Sequence, residues 1–253
     1  MKQCIILSHQ FILPNNSLNN KYGFAASWGD EWKLKVFDFC IRHFRTNNPE
    51  AYLIVTGHGL KPLQSSLELV DWYYWPDRII SGEINYGHPF LVSKGIQHAI
   101  DNKIEYVCKT RLDTVNLISD LCKHCHSVLL QSGKRILNTH YNKLTYSMMD
   151  LFNYAKSIDL IKLYNHDHWR VPWIPDGTGP VARNYIQLIL NKKITFPFDP
   201  LRWNEMANLD VVYKTPNDLK WIDLRKNHTV LDSIKKELLD NNFIKCKPYV
   251  WRH

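Results

Sequence analysis

Three charged side chains at alternate positions, Lys109, Arg111 and Asp113, carry the clearest chemical signal in the sequence. They follow the apolar run 104–108, which predicts a buried strand. Alternate residues of an extended segment project to the same side, so the three side chains are expected to lie together. The carboxylate could bind Mg²⁺ or Mn²⁺, and the two cations could neutralise a phosphate. The same spacing also fits a plain ion pair at the end of a strand.

The elements that must position this trio alternate along the first half of the chain. Apolar runs predict strands at 3–7 and 51–56, and apolar periodicity predicts a helix over 30–47 between them. A further strand is predicted at 78–81, followed by a helix that begins at Pro89. Strands that alternate with helices predict an α/β fold with a mostly parallel sheet, in which ligands bind beyond the carboxyl ends of the strands.

Polar side chains also follow the first two predicted strands. Ser8 and His9 come after the first strand, and His58 comes after the second. Because the carboxyl ends of parallel strands share one edge of a sheet, these residues and 109–113 should face one crevice. Turn formation is the alternative explanation for their positions.

The second half of the chain is less regular. Its predicted elements are a strand at 135–139 and helices at 157–164, 180–190 and 230–239. No repeat or clear linker divides the chain. We therefore predict a single domain over 1–253, in which 1–115 bind a ligand and 116–253 shape access to it.

Composition narrows the classes of partner. The 253 residues include 32 Lys and Arg against 24 Asp and Glu, which gives a net charge of +8 and a pI near 9.1. Such a surface attracts anions, among them nucleotides, nucleic acid and acidic lipid. A hydrophobic content of 45% excludes a chain that is disordered throughout. The apolar run near the start is too short for a signal peptide or a membrane span, so we expect a cytoplasmic protein.

Six scattered cysteines do not form the dense framework of a small secreted domain, and reduced thiols are expected. Cys122 and Cys125 have the spacing of half a zinc site, but no second cysteine pair follows. The apolar residues around them predict a helix whose core-facing side includes both thiols.

Two other features bear on function. The cluster 72–75, Trp-Tyr-Tyr-Trp, could line a cleft for sugars or bases, or could pack as ordinary core and rim. The turns 57–59 and 177–179 contain paired glycines but lack the spacing of a P-loop or a dinucleotide fingerprint. Nothing in the sequence therefore supports an ATPase or a dehydrogenase.

A longer set of residues around the charged trio resembles a known family. The set consists of Asn85, Lys94, Gly95, Ile96 and Ala99, followed by 106–113. It is similar to the WavE-like lipopolysaccharide-synthesis glycosyltransferases, in which an Asn-bearing helix precedes a Lys-x-Arg-x-Asp strand end. The segment 150–159, with Leu160 and Leu163, resembles the Asp-aromatic segment and acidic helix of the same family. The resemblance covers roughly residues 76 to 165.

The resemblance implies a GT-A-like, Rossmann-like fold and a hexosyl- or pentosyltransferase that uses a nucleotide-sugar donor. Asp113 matches the last Asp of the DxD-type motif and would bind Mn²⁺ or Mg²⁺ on the donor diphosphate. Arg111 stands where many GT-A enzymes have the first Asp of that motif. Donor-binding residues on this reading are Ser8, His9, His58, Asn85, Lys94, Lys109, Arg111 and Asp113.

Sugar transfer with inversion needs a base for the acceptor hydroxyl, and a carboxylate usually supplies it. Asp150, which has the family match, and Asp176, in the turn 174–179, are the catalytic candidates, although each could instead cap a helix or a turn. The segment 166–168, His-Asp-His, offers further metal ligands or a surface loop. The acceptor would be a glycan or a lipid-linked sugar, and the basic surface would suit peripheral association with a membrane.

Two functions from other classes stay open at this point. A basic nucleic-acid-binding protein would use the charge and the aromatics for phosphate contacts and stacking, but the cations are dispersed, and no nucleic acid is expected as partner. A non-catalytic relative that binds nucleotide sugars would have lost one metal carboxylate.

Overall fold

A computed structural model describes residues 1–10, 30–76, 84–138, 141–142, 147–148, 152–164, 211–214 and 218–224. The strand predicted at 78–81 and the helices predicted at 180–190 and 230–239 lie outside these residues.

The described strands in chain order are β1 (Gln3–Gln10), β2 (Tyr52–His58), β3 (Trp72–Tyr74), β4 (Tyr106–Arg111), β5 (Thr114–Asn116), β6 (Ile136–Asn138), β7 (Tyr141–Asn142), β8 (Ser147–Met148), β9 (Asn153–Lys156), β10 (Val211–Tyr213) and β11 (Trp221–Asp223). The described helices are α1 (Asp30–Asn47), α2 (Gln64–Leu67), α3 (Ile84–Asp101), α4 (Leu121–Ser132) and α5 (Ser157–Leu163).

Seven of the strands form one sheet in the order β10-β6-β9-β4-β1-β2-β3. The pairs β1–β2, β1–β4, β2–β3 and β6–β10 are parallel, whereas β9 runs antiparallel to both β4 and β6. Strands from both halves of the chain therefore share the sheet. This arrangement confirms the predicted α/β class, a mostly parallel sheet flanked by helices.

The helices cover both faces of the sheet. On one face, Phe37 of α1 and Cys125 of α4 pack with Ile5, Leu7 and Val55 in a buried apolar cluster. This burial follows from the run of β-branched and aliphatic residues in β1 and β2, which is typical of a sheet covered on both sides. The helix predicted over 30–47 is confirmed, and Phe37, Ile41 and Phe44 on one side of it are buried.

On the other face, α3 lies close to the sheet because of a glycine. A Cβ at Gly95 would come within 3.1 Å of Thr56 Cγ2 and 3.2 Å of Ile6 Cδ1. A larger residue there would require the helix or the strands to move. Gly95, part of the motif in the sequence, therefore sets the distance between α3 and the strands β1 and β2.

Two predicted elements differ in detail from the structure, and one further strand was not predicted. The strand that pairs with β2 is formed by the aromatic cluster itself, Trp72–Tyr74, and Trp72 stacks on His98 of α3 with ring centroids 4.1 Å apart. Helix α3 begins at Ile84 rather than at Pro89. Strand β4 extends to Arg111, beyond the apolar run that predicted it, because Lys109 pairs in register with Ile6.

Candidate functional site

The strand order reverses beside β1, which lies between β2 and β4. After β1 the chain builds β2 and β3 outward on one side and then returns to place β4 on the other side. In open α/β sheets, such a switch point is where ligands bind, in the crevice outside the carboxyl ends of the strands. At this point Ser8 of β1 and Arg111 of β4 are register partners.

Arg111 and Asp113 form a two-pronged ion pair at this edge. Arg111 Nε donates to Asp113 Oδ1 at 2.8 Å, and Nη2 donates to Oδ2 at 2.5 Å. The Asp113 side chain is 1% exposed and that of Arg111 is 22% exposed. Arg111 and Asp113 therefore form the ion pair that was one of the two interpretations of their spacing, and the guanidinium of Arg111 still reaches the surface.

The backbone turns between these two residues, so Asp113 does not continue the extended strand. Strand β4 ends at Arg111 and β5 begins at Thr114, whose Oγ1 donates to the Arg111 carbonyl at 2.9 Å. The amide of Leu112 donates to the Ser8 carbonyl at 3.1 Å. The prediction that 109, 111 and 113 project to one side of a single strand is therefore wrong for Asp113. Its side chain contacts Arg111 because the backbone turns after β4.

Lys109 lies deeper, two residues before the end of β4, and its side chain is fully buried. Its Nζ lies 5.8 Å from the centroid of the Tyr164 ring. In register beside it, Asn153 donates through Nδ2 to Tyr164 Oη at 3.0 Å, and Asn138 donates through Nδ2 to Asn153 Oδ1 at 2.8 Å. Lys109 thus belongs to a buried polar network with Asn138, Asn153 and Tyr164.

Sequence reasoning missed three members of that network. Asn138 and Asn153 are buried and both lie at the edge of the sheet that carries Arg111, because β6 ends there and the antiparallel β9 begins there. The sequence did contain one signal for the network, an Asn at the end of a short apolar strand. A buried amide needs hydrogen-bond partners, so such an Asn indicates a buried polar contact.

The residues predicted at the ends of β1 and β2 do lie at this edge. Ser8 is buried and its Oγ donates to the Thr110 carbonyl at 3.1 Å. His9 is buried, and its ring lies 5.0 Å from that of Phe37 in an edge-to-face contact. His58 is half-buried, and partial desolvation lowers the pKa of its imidazole, which favours the neutral ring.

Trp75 covers the end of β2 beside His58. Its indole Nε1 donates to the Gly59 carbonyl at 3.0 Å, and a Cβ at Gly57 would lie only 2.1 Å from the six-membered part of the ring. The absence of a side chain at Gly57 is what lets the half-buried indole lie against the backbone.

Other predicted site residues lie apart or outside the described residues. Lys94 is exposed on α3, with its Nζ 5.2 Å from the centroid of Phe90. Asn85 is in the first turn of α3, and its side chain is not among those described. Asp150, Asp176 and the segment 166–168 lie outside the described part of the chain.

The cysteines of the proposed half zinc site are core residues. Cys122 and Cys125 are buried on α4, as the apolar pattern predicted. A hydrogen bond with Cys108, together with burial, raises the pKa of the Cys122 thiol well above its usual value. Within the described residues no group of three or more His, Cys, Asp or Glu side chains could hold a metal ion.

Asp113 does not fit the metal that the resemblance assigns to it. Both carboxylate oxygens accept hydrogen bonds from Arg111, and the side chain is almost completely buried. A hard divalent cation needs several oxygen ligands, and a guanidinium held against the same carboxylate repels it.

No protein-family profile matches the chain, and no curated protein matches it. Solved structures do align with it. A glycosyltransferase involved in glycosylation of the major capsid of PBCV-1 aligns at 11% identity and a TM-score of 0.41, over 85% of this chain and 82% of that one.

Two further structures align in the same range. A protein from Desulfovibrio desulfuricans described as a nucleotide-diphospho-sugar transferase aligns at 11% identity and a TM-score of 0.42, over 84% of this chain and 100% of that one. A cytidylyltransferase from Leptospira borgpetersenii aligns at 13% identity and a TM-score of 0.40, over 82% and 94%. The TM-scores of all three alignments are 0.42 or lower, so the fold class is assigned from the strand order of the sheet alone. None of them is specific to the WavE-like family, and that resemblance stays a prediction.

A cavity of about 470 Å³ opens at the opposite edge of the sheet. It is lined by Gln3 and Tyr52, which begin β1 and β2, and by charged residues that include Arg45, Asp71 and Lys123. Arg45 is already bound there, because its Nη2 donates to Asp71 Oδ2 at 2.5 Å and its Nε donates to the Leu69 carbonyl at 2.8 Å. Arg111 and Asp113 are not among the residues that line this cavity, so it is separate from the Arg111 site.

Among the described helices, none combines the length and the apolar character that crossing a membrane requires.

Proposed function

We propose that the protein is a glycosyltransferase that binds a nucleotide-sugar donor at the carboxyl edge of β1 and β4 and transfers the sugar to a glycan or a lipid-linked acceptor. The observation that carries the proposal is the position of Arg111 at the topological switch point, with its guanidinium fixed in place and still partly exposed. A fixed guanidinium is well suited to a diphosphate, because its planar N–H groups match phosphate oxygens in pairs.

The surroundings of Arg111 support an anionic ligand at this edge. Lys109 lies on the adjacent part of β4, and the net charge of the chain is +8. Positive potential raises the local concentration of an anionic donor. His58 and Trp75 at the end of β2 offer a half-buried ring surface for the base of the nucleotide.

The proposed transfer forms a bond between the acceptor oxygen and the anomeric carbon of the sugar. The bond from that carbon to the donor diphosphate breaks, and the nucleoside diphosphate leaves with the electron pair. In an inverting reaction the acceptor proton passes to a carboxylate, for which Asp150 and Asp176 are the proposed bases. Because Asp113 does not fit a metal, no step is assigned to one.

Hydrolysis of a panel of nucleotide sugars tests the proposal, because transferases of this kind pass the sugar slowly to water when no acceptor is present. We expect release of nucleoside diphosphate with at least one donor, and a loss of that activity in R111K. The matched control is R42Q, since Arg42 also donates through Nε to a carboxylate at 2.8 Å but lies on the exposed side of α1. If no nucleoside diphosphate is released from any donor, with or without Mn²⁺, the proposal is contradicted.

A further inference from the structure

The guanidinium of Arg111 has one edge bound and another edge available. An arginine side chain carries five N–H donors in a planar fork. Asp113 accepts from Nε and from one hydrogen of Nη2, which leaves both hydrogens of Nη1 and the second hydrogen of Nη2. Within the described residues these three donors have no partner, and the side chain is 22% exposed.

Asp113 fixes the direction in which that available edge points. The carboxylate is buried, and its own backbone is held because the Leu224 amide donates to the Asp113 carbonyl at 3.0 Å. The Arg111 backbone is held by its register with Ser8 and by Thr114 Oγ1. A guanidinium fixed in this way loses little conformational entropy when it binds a second anion.

We infer that Arg111 supplies the positive charge that a divalent metal supplies in related sites, so that the donor diphosphate binds without metal. The inference rests on the proposed function, since it names how the same site holds the donor. Asp113 then acts as a positioning residue: it holds one edge of the guanidinium through two hydrogen bonds and directs the other edge at the diphosphate.

This assignment accounts for two features together. The sequence has an arginine where many GT-A enzymes have the first Asp of the metal-binding motif, and in the structure the remaining carboxylate binds that arginine. A metal ligand would need its oxygens directed at the cation, whereas both oxygens of Asp113 face Arg111.

Titration calorimetry with UDP, GDP, ADP and dTDP tests the inference directly. Each nucleotide is added to the full chain in EDTA and, separately, in Mn²⁺. We expect at least one nucleotide to bind with the same Kd in both buffers. R111K, which keeps the charge but loses the planar fork, should weaken that binding by about 10- to 100-fold, while R42Q should leave it unchanged.

D113N separates positioning from metal binding. As a positioning residue, Asp113 should affect nucleotide affinity in EDTA as much as in Mn²⁺. As a metal ligand, it should affect affinity only in Mn²⁺. If D113N does not fold, the comparison of wild type with R111K in the two buffers decides the question alone.

Binding that requires Mn²⁺ or Mg²⁺ in the wild type would overturn the inference and leave the proposed function in place. Binding of none of the nucleotides in either buffer would contradict the proposed function, and the inference with it.

Discussion

Ser8 and Arg111 are register partners in the adjacent parallel strands β1 and β4, at the position where the strand order of the sheet reverses. The pairing continues one residue further, because the Leu112 amide donates to the Ser8 carbonyl. This backbone connection fixes the height of Arg111 at the sheet edge independently of its side chain. The site is therefore part of the rigid sheet, which favours precise binding of a charged ligand.

The ion pair between Arg111 and Asp113 should contribute to stability. D113N keeps the shape of the side chain but removes its charge, so Arg111 loses its charged partner. We expect the free energy of unfolding to fall by about 2 kcal/mol, measured by urea denaturation. The matched control is D38N: the ion-pair partner Arg42 is half exposed, and the amide oxygen of the new Asn can still accept from Ser66 Oγ, so a loss below about 1 kcal/mol is expected there. Equal losses in the two variants would contradict the burial of the Asp113 pair.

Buried His43 should make stability depend on pH. Its Nε2 lies 2.6 Å from the Asn116 carbonyl and must donate to it, and burial lowers the pKa of the ring. An unfolded His has a pKa of about 6.5, so below that pH the unfolded chain binds more protons than the folded one. Stability should therefore fall as pH decreases from about 6.5 toward the lower folded pKa.

The contribution of His43 can be isolated with H43Q, which keeps an N–H donor without a group that titrates. Histidine titrates between about pH 5 and pH 8. Urea denaturation across this range should show that the free energy of unfolding decreases less in H43Q than in the wild type as the pH is lowered. Parallel curves would assign the pH dependence to other residues.

The contact between Gly57 and Trp75 should not tolerate a side chain. In G57A the new Cβ would lie 2.1 Å from the indole, so the ring must move and lose its hydrogen bond to the Gly59 carbonyl. We expect a loss of about 1–3 kcal/mol in the free energy of unfolding. In a W75A background, where the ring is absent, the G57A substitution should change the free energy of unfolding very little. A double-mutant cycle measures this coupling, and additive losses would contradict the contact.

The polar network around Lys109 should depend on the Tyr164 hydroxyl. Y164F leaves the buried Asn153 amide without the acceptor that now lies 3.0 Å away. A loss of about 1–3 kcal/mol in the free energy of unfolding is expected. Y52F is the control, because the Tyr52 hydroxyl lies in a half-exposed position and water can replace its partners. If Y164F were no more costly than Y52F, the network would not contribute to stability.

The sequence predicted the parts of the fold that depend on local apolar pattern. Strands β1 and β2 and helix α1 were found because each is a continuous apolar run or a clear helical repeat. Strands β3 and β9 were missed, since each has at most four residues and depends on its neighbours in the sheet rather than on its own pattern.

The candidate site was predicted in residue type but not in geometry. The sequence identified Arg111 and Asp113, but the turn at 112–113 contains no Gly, Pro or Asn, and its one turn-favouring residue, Asp113, was interpreted as a ligand. The turn depends instead on a local hydrogen bond from the Thr114 hydroxyl and on the pairing with Ser8, which is a tertiary contact. The burial of Lys109 likewise depends on Asn153 and Tyr164, which lie far along the chain.

Hydrogen exchange of the wild-type protein with and without saturating nucleoside diphosphate tests the location of the donor site most directly. Binding at the switch point should slow exchange of the amides at 8–10, 57–59 and 110–114, the carboxyl ends of β1, β2 and β4. Exchange around Arg45 and Lys123, at the opposite cavity, should not change. Protection at that cavity, with the amides of 110–114 unaffected, would contradict the account.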